Sequence, residues 1–178
     1  MKKLLVFLLP FLFIGCGTVS STPTKKVESF MASYQTLDDK VVEQLNTTAD
    51  SETKFNKEQK EEYIKLMKNH YQNLTYEIKD EIIDGEEATV VVEIDVTDYS
   101  SAMRDAEDYL NEHKEEFNDE NDEYDETLFT TYRLNKLKES KERVKYTLNI
   151  YLTKVDNEWQ INDLTNTDRM KIQGMYQD

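Results

Sequence analysis

This 178-residue chain has little cysteine, histidine, glycine, proline or positive charge, and each shortage removes a class of chemistry. One cysteine excludes an intrachain disulfide framework and any zinc or iron–sulfur centre built on cysteines. Two histidines leave few options for a His-rich metal centre. With four glycines, two of them flanking Cys16, phosphate-cradling loops are hard to build, and neither HExxH nor GxSxG occurs. Two prolines and the absence of a Gly/Pro-rich stretch leave no linker to divide residues 25–178. Lysine and arginine number 22 against 37 acids, a formal charge of −15, which argues against nucleic acid as a partner because its phosphates need a basic footprint. What remains is ordinary globular material. The composition is 38% hydrophobic and 11% aromatic, enough for a packed core in one domain.

The N-terminal residues read as an address. Lys2 and Lys3 precede an apolar run over residues 4–14 that only Pro10 interrupts, and Gly15 is the small residue expected at a cleavage point. The run is too short for a bilayer core of about 30 Å, which needs roughly 20 residues. Phe13-Ile14-Gly15-Cys16 resembles the lipobox of bacterial lipoproteins, with Phe13 where that family usually carries Leu. The resemblance implies diacylglycerol modification of Cys16, which becomes the new N-terminus. Residues 1–15 are then a signal peptide, 16–24 the lipidated cysteine and its tether, and 25–178 the domain. Removing the leader leaves 20 basic and 37 acidic residues, a net charge of −17. Such a body is repelled by anionic lipid, so the acyl chains, at about 0.8 kcal/mol per buried CH₂, have to hold it at the membrane.

Beyond the tether the apolar periodicity predicts helices first. Thr22-Pro23 reads as an N-cap followed by proline at the first helical position, and Val27, Phe30, Tyr34, Leu37, Val41 and Leu45 recur at helical spacing. Residues 46–54 look like a polar loop. Asn56 with Gln59 forms a capping-box start for a second helix with Tyr63, Leu66, Met67 and His70 on one side. The period then drops to two. Tyr76, Ile78 and Ile82 alternate with Glu77, Lys79 and Glu81, Asp84-Gly85 suggests a type I′ turn, and Ala88, Val90, Val92, Ile94 and Val96 form one face of the return strand. Ser100 or Ser101 is expected to cap a third helix with Ala102, Ala106, Tyr109, Leu110, His113 and Phe117 inward. A fourth, about residues 125–139, carries Leu128, Phe129, Tyr132 and Leu137, with acids at its start and Lys136, Lys138 and Lys141 at its C-terminal end. Val144, Tyr146, Leu148, Ile150 and Leu152, the turn Asp156-Asn157, and Trp159 and Ile161 make a second hairpin, with a helical turn near residues 168–175.

Strands with one apolar and one polar face predict an α+β domain, its helices on one side of an antiparallel sheet and a helix pair between two hairpins. This order, with the final hairpin leading into Glu158-Trp159-Gln160-Ile161, resembles the NTF2-like (cystatin-like) α+β domains of small bacterial lipoproteins. The resemblance implies N-terminal helices on a curved sheet with room for a pocket between them, where some members catalyse proton transfer or dehydration.

Individual residues favour the plainer readings. Asp119-Glu120-Asn121-Asp122-Glu123 invites calcium, but counting from Asp119 the sixth position is Tyr124 and the twelfth Thr130, where an EF-hand needs Gly and Glu. His70 and His113 fall on helical faces that carry core residues, and neither has the nearby ligands a metal needs. Asp80 is the one acid in register with inward strand positions, and its alternative is a bulge or edge residue. Tyr34, Tyr63, Tyr76, Tyr109 and Tyr146 suit either an amphipathic pocket or the rim of the core, and the rim is the commoner use. No catalytic, cofactor-binding or metal-ligating residue is assigned, and Cys16 is the one modified position. The expectation is a lipid-anchored extracytoplasmic lipoprotein of the cell membrane, acting without catalysis on a protein or small-molecule partner. A carrier of small apolar ligands and an NTF2-like pocket enzyme are the alternatives.

Overall fold

The computed structural model describes residues 21–52 and 54–177; Cys16 and the leader lie outside them. The elements are α1 (Pro23–Thr36), α2 (Asp39–Ser51), α3 (Lys57–Gln72), β1 (Thr75–Asp84), β2 (Glu87–Thr97), α4 (Tyr99–Glu112), α5 (Glu126–Glu139), β3 (Arg143–Val155), β4 (Glu158–Ile161) and α6 (Asn166–Ile172). All four strands form one antiparallel sheet in the order β1-β2-β3-β4, open at both edges. The helices cover one face. The fold is α+β, consistent with the NTF2-like or cystatin-like arrangement, with α4 and α5 inserted between the hairpins.

Cross-strand pairs set the core. Ala88, Val90 and Val92 face Leu152, Ile150 and Leu148, and these six are at most 5% exposed. Met31 of α1, Met67 of α3 and Ile172 of α6 lie over them, each 0–1% exposed. A side chain of that size stabilises the fold by about 1.5–3 kcal/mol when fully buried. A second, smaller core sits under the inserted pair, where Phe117 stands edge-on to Phe129 at 5.4 Å and both pack near Ala106. The opposite face of the sheet is a polar lattice in which Glu93 takes Lys145 at 2.9 Å and Lys79 at 3.4 Å, and Arg143 takes Asp95 at 2.6 Å.

Several expectations hold residue by residue. Thr22 caps α1 with Pro23 in its first turn, and Asn56 and Gln59 form the reciprocal capping box of α3. Asp156 and Asn157, at φ 49° and 67°, make the type I′ turn between β3 and β4.

Others are corrected. The expected single helix through Val27–Leu45 positions is two, because Leu37 turns left-handed (φ 55°) and the Asp38 carboxylate caps α2 by accepting from the Lys40 amide. The supposed loop at 46–54 is mostly the rest of α2, which continues to Ser51. The first hairpin turn is Gly85-Glu86, one residue later than read, with Asp84 paired to Glu87 and positive φ at Gly85 alone of the two, so it is not type I′. A bulge between Ile78 and Asp80 reverses the alternation of β1. It sends Ile82 to the outer face, 57% exposed, and turns Glu81 inward. Asp98, through the Ser101 amide, caps α4, in place of either serine. On α5, Leu128 is 44% exposed and Leu134 takes the buried place.

Candidate functional site

The C-terminal end of the chain is tied to α3 and to the first turn of α4. α6 begins at a capping box formed by Thr165 and Asp168, and Ile172 inserts beside α3 at 1% exposure. Its carbonyl accepts a hydrogen bond from His70 Nε2 at 2.8 Å. That bond fixes the neutral tautomer, since Nε2 has to donate, and Nδ1 is left buried with no partner among the described residues. Burial pushes the His70 pKa down to about 4, with the Ile172 carbonyl opposing the shift. Two residues on, the Gly174 carbonyl accepts from the Tyr99 and Ser100 amides at 2.8 and 2.9 Å, satisfying donors in the first turn of α4. Gly174 adopts φ 70°, and a Cβ there would meet the Thr97 carbonyl oxygen at 2.1 Å. His70 is therefore the interfacial histidine that its helical face predicted, and it is committed to holding the C-terminal segment.

A separate cavity of about 380 Å³ lies between α2 and α6, floored by α1 and α3. Its apolar lining is Tyr34, Val41, Leu45, Tyr71 and Ile172. The spacing Val41, Leu45 and the following turn places Gln44, Thr47 and Thr48 along the outer wall, with Glu43 at the same rim. Arg169 and Gln173 come from α6 and its C-cap, four residues apart and so on one side. The Tyr34 and Tyr71 rings meet edge to face at 5.0 Å. Burial raises the pKa of both hydroxyls; Arg169 pulls Tyr34 back, and the Gln173 side chain hydrogen-bonds Tyr71. The cavity thus offers an aromatic and aliphatic floor, two neutral hydroxyls, amides and threonines, and one guanidinium. That set recognises a small amphipathic molecule by shape and hydrogen bonding.

The residues singled out in the sequence are scattered. Of the five tyrosines, only Tyr34 lines this cavity. Tyr63 is buried against Phe55 at 5.3 Å, and Tyr109 stacks on Tyr132 and His113 in the second core. Tyr146 and Tyr76 border the main core. His113 is not inward: its side chain is 40% exposed and lies 3.7 Å from Glu116. Asp80 sits on the outer face beyond the bulge, opposite Val91 and away from the helices. In the acidic loop, Asp119 Oδ1 accepts from the Asn121 and Glu123 amides, and these bonds hold its carboxyl below the usual range. Among the described residues no group of three or more His, Cys, Asp or Glu is disposed to hold a metal. Arg169, Gln173, Gln44, Thr47 and Thr48 were not foreseen. The Thr165–Asp168 capping box was the available signal for α6; the α2 wall was hidden by its polar composition.

Fold and cavity together define an α+β domain that carries a mixed apolar and polar cleft beside its helical layer. No family profile, curated protein or solved structure matches the chain.

Proposed function

We propose that this chain is a bacterial lipoprotein, cut before Cys16, acylated there and held on the extracytoplasmic face of the cell membrane, with an NTF2-like domain that works as a non-catalytic binding module. The observation that carries the reading is the ordered sequence Lys2-Lys3, apolar residues 4–14 and Phe13-Ile14-Gly15-Cys16. The position of the first helix supports it. Pro23, where α1 begins, lies seven residues after Cys16, a tether of about 25 Å at full extension. The Glu81 carboxylate accepts from both the amide and the hydroxyl of Thr24, at 2.8 and 2.7 Å, which pins that end of α1 beside the β1–β2 turn.

Binding is favoured over proton transfer by how the ionisable groups are used. The buried histidine supports the C-terminal segment, and Asp80 faces away from the helices. The cavity between α2 and α6 favours, as a second reading, a carrier of small ligands. Replacing Cys16 by alanine in a bacterial host tests the anchor: the protein is expected to accumulate uncut or to appear in the medium. Normal processing with full membrane retention would overturn the proposal.

A further inference from the structure

Among the described residues Arg169 is the one cation lining the α2–α6 cavity, and it has no ion-pair partner. Its Nε donates to the Leu164 carbonyl at 3.3 Å, which steadies the side chain at its root. Among the described residues no carboxylate lies within ion-pair distance of its guanidinium, although the chain has 37 acids and Arg143 is tied to Asp95 at 2.6 Å. Arg169 is exposed and lines a cleft whose floor is apolar and whose rim, Gln44, Thr47 and Gln173 included, supplies neutral hydrogen-bonding groups.

A guanidinium in that position matches two coplanar oxygens best. The rest of the molecule limits the charge such a ligand can bring. A net charge of −15 opposes the approach of any anion in proportion to its valence, and Glu43 stands at the same rim. One negative charge is matched by Arg169, whereas a second would meet Glu43 unpaired. A cavity of about 380 Å³ is at the small end of ligand sites, large enough for a bicyclic ring. We propose that this cavity binds a small organic monocarboxylate, its carboxylate on Arg169 and its aromatic or branched apolar body against Tyr34, Val41, Leu45 and Tyr71. The proposal deepens the binding-module reading by naming its ligand class, and it does not depend on the anchor.

The test uses the mature full-length chain in phosphatidylcholine nanodiscs, with empty nanodiscs as blank, titrated by ligand-observed saturation-transfer NMR. The probes are 1-naphthylacetate and its neutral isostere 1-naphthylacetamide. The carboxylate is expected to saturate and the amide to bind at least tenfold more weakly. Arg169→Gln should erase that preference, and Thr48→Trp, on the exposed wall, should block both probes while the circular dichroism spectrum is unchanged. Absence of saturable binding, equal affinity for the two probes, or wild-type carboxylate affinity in either variant overturns the proposal. Acylation of the same sample is read separately from the mass of its N-terminal peptide. An acylated chain that fails to bind refutes the ligand class and leaves the anchor; an unacylated chain that binds does the reverse.

Discussion

Two glycines with nearly the same backbone conformation offer a test of how the C-terminal segment is held. Gly85 has φ 61° and Gly174 φ 70°, so alanine at either suffers the left-handed cost of roughly 1–2 kcal/mol. Their surroundings differ. At Gly85 nothing lies within 4 Å of an added Cβ, whereas at Gly174 it would meet the Thr97 backbone oxygen at 2.1 Å and His70 Cε1 at 3.0 Å. The Thr97 oxygen belongs to the end of β2 and cannot swing away like a side chain. Relief must come from displacing the 172–176 segment, which strains the two bonds from Tyr99 and Ser100 to the Gly174 carbonyl and the bond from His70 to Ile172. At about 1 kcal/mol for each bond weakened, Gly174→Ala should cost about 4–5 kcal/mol and Gly85→Ala about 1–2. Urea unfolding followed by Trp159, the single tryptophan and only 5% exposed, measures both. In a domain of this size Gly174→Ala should lower Tm by about 10 °C and Gly85→Ala by only a few degrees. Equal losses in the two variants, or a Gly174→Ala loss below about 1 kcal/mol, would refute the argument that the segment is wedged against β2.

His70 makes the fold acid-sensitive. Its pKa is about 4 in the folded chain and 6.5 in its absence, so the unfolded chain binds the extra proton between those values, and stability falls as pH drops through this window. Between pH 7 and pH 4.5 the wild type should lose about 2–3 kcal/mol more than His70→Gln, whose amide can still donate to Ile172 but does not titrate; identical pH slopes in urea titrations would show that the ring is not buried neutral. Phe117→Ala, in the second core, should cost about 3 kcal/mol and accelerate amide exchange in α4 and α5 while β2 and β3 keep their protection, and uniform acceleration would mean that the two cores are one.

Where local chemistry decides structure, the sequence was sufficient. The Asn56–Gln59 box, the Asp156-Asn157 turn and the alternation of Val90, Val92 and Ile94 each specify their element without help from distant residues. Leu37 shows the limit, because an apolar residue in helical register carries no mark of the left-handed turn that Asp38 makes worthwhile by capping the next helix. The β1 bulge is similar. Alternation through Ile78 and Ile82 reads as unbroken, and only pairing against β2 reveals that one residue is extra. The cavity was least legible: Gln44 and Arg169 are 125 positions apart, and no periodicity links the polar side of α2 to a short helix at the other end of the chain.

Cys16 carries the proposed anchor, and one mass spectrum addresses it directly. Trypsin digestion of the chain recovered from bacterial membranes should yield a peptide that starts at Cys16, ends at Lys25 and carries a diacylglyceryl group on the thioether. A peptide that spans residues 15 and 16 intact, or one with a free thiol at Cys16, would contradict the proposed anchor and the location that follows from it.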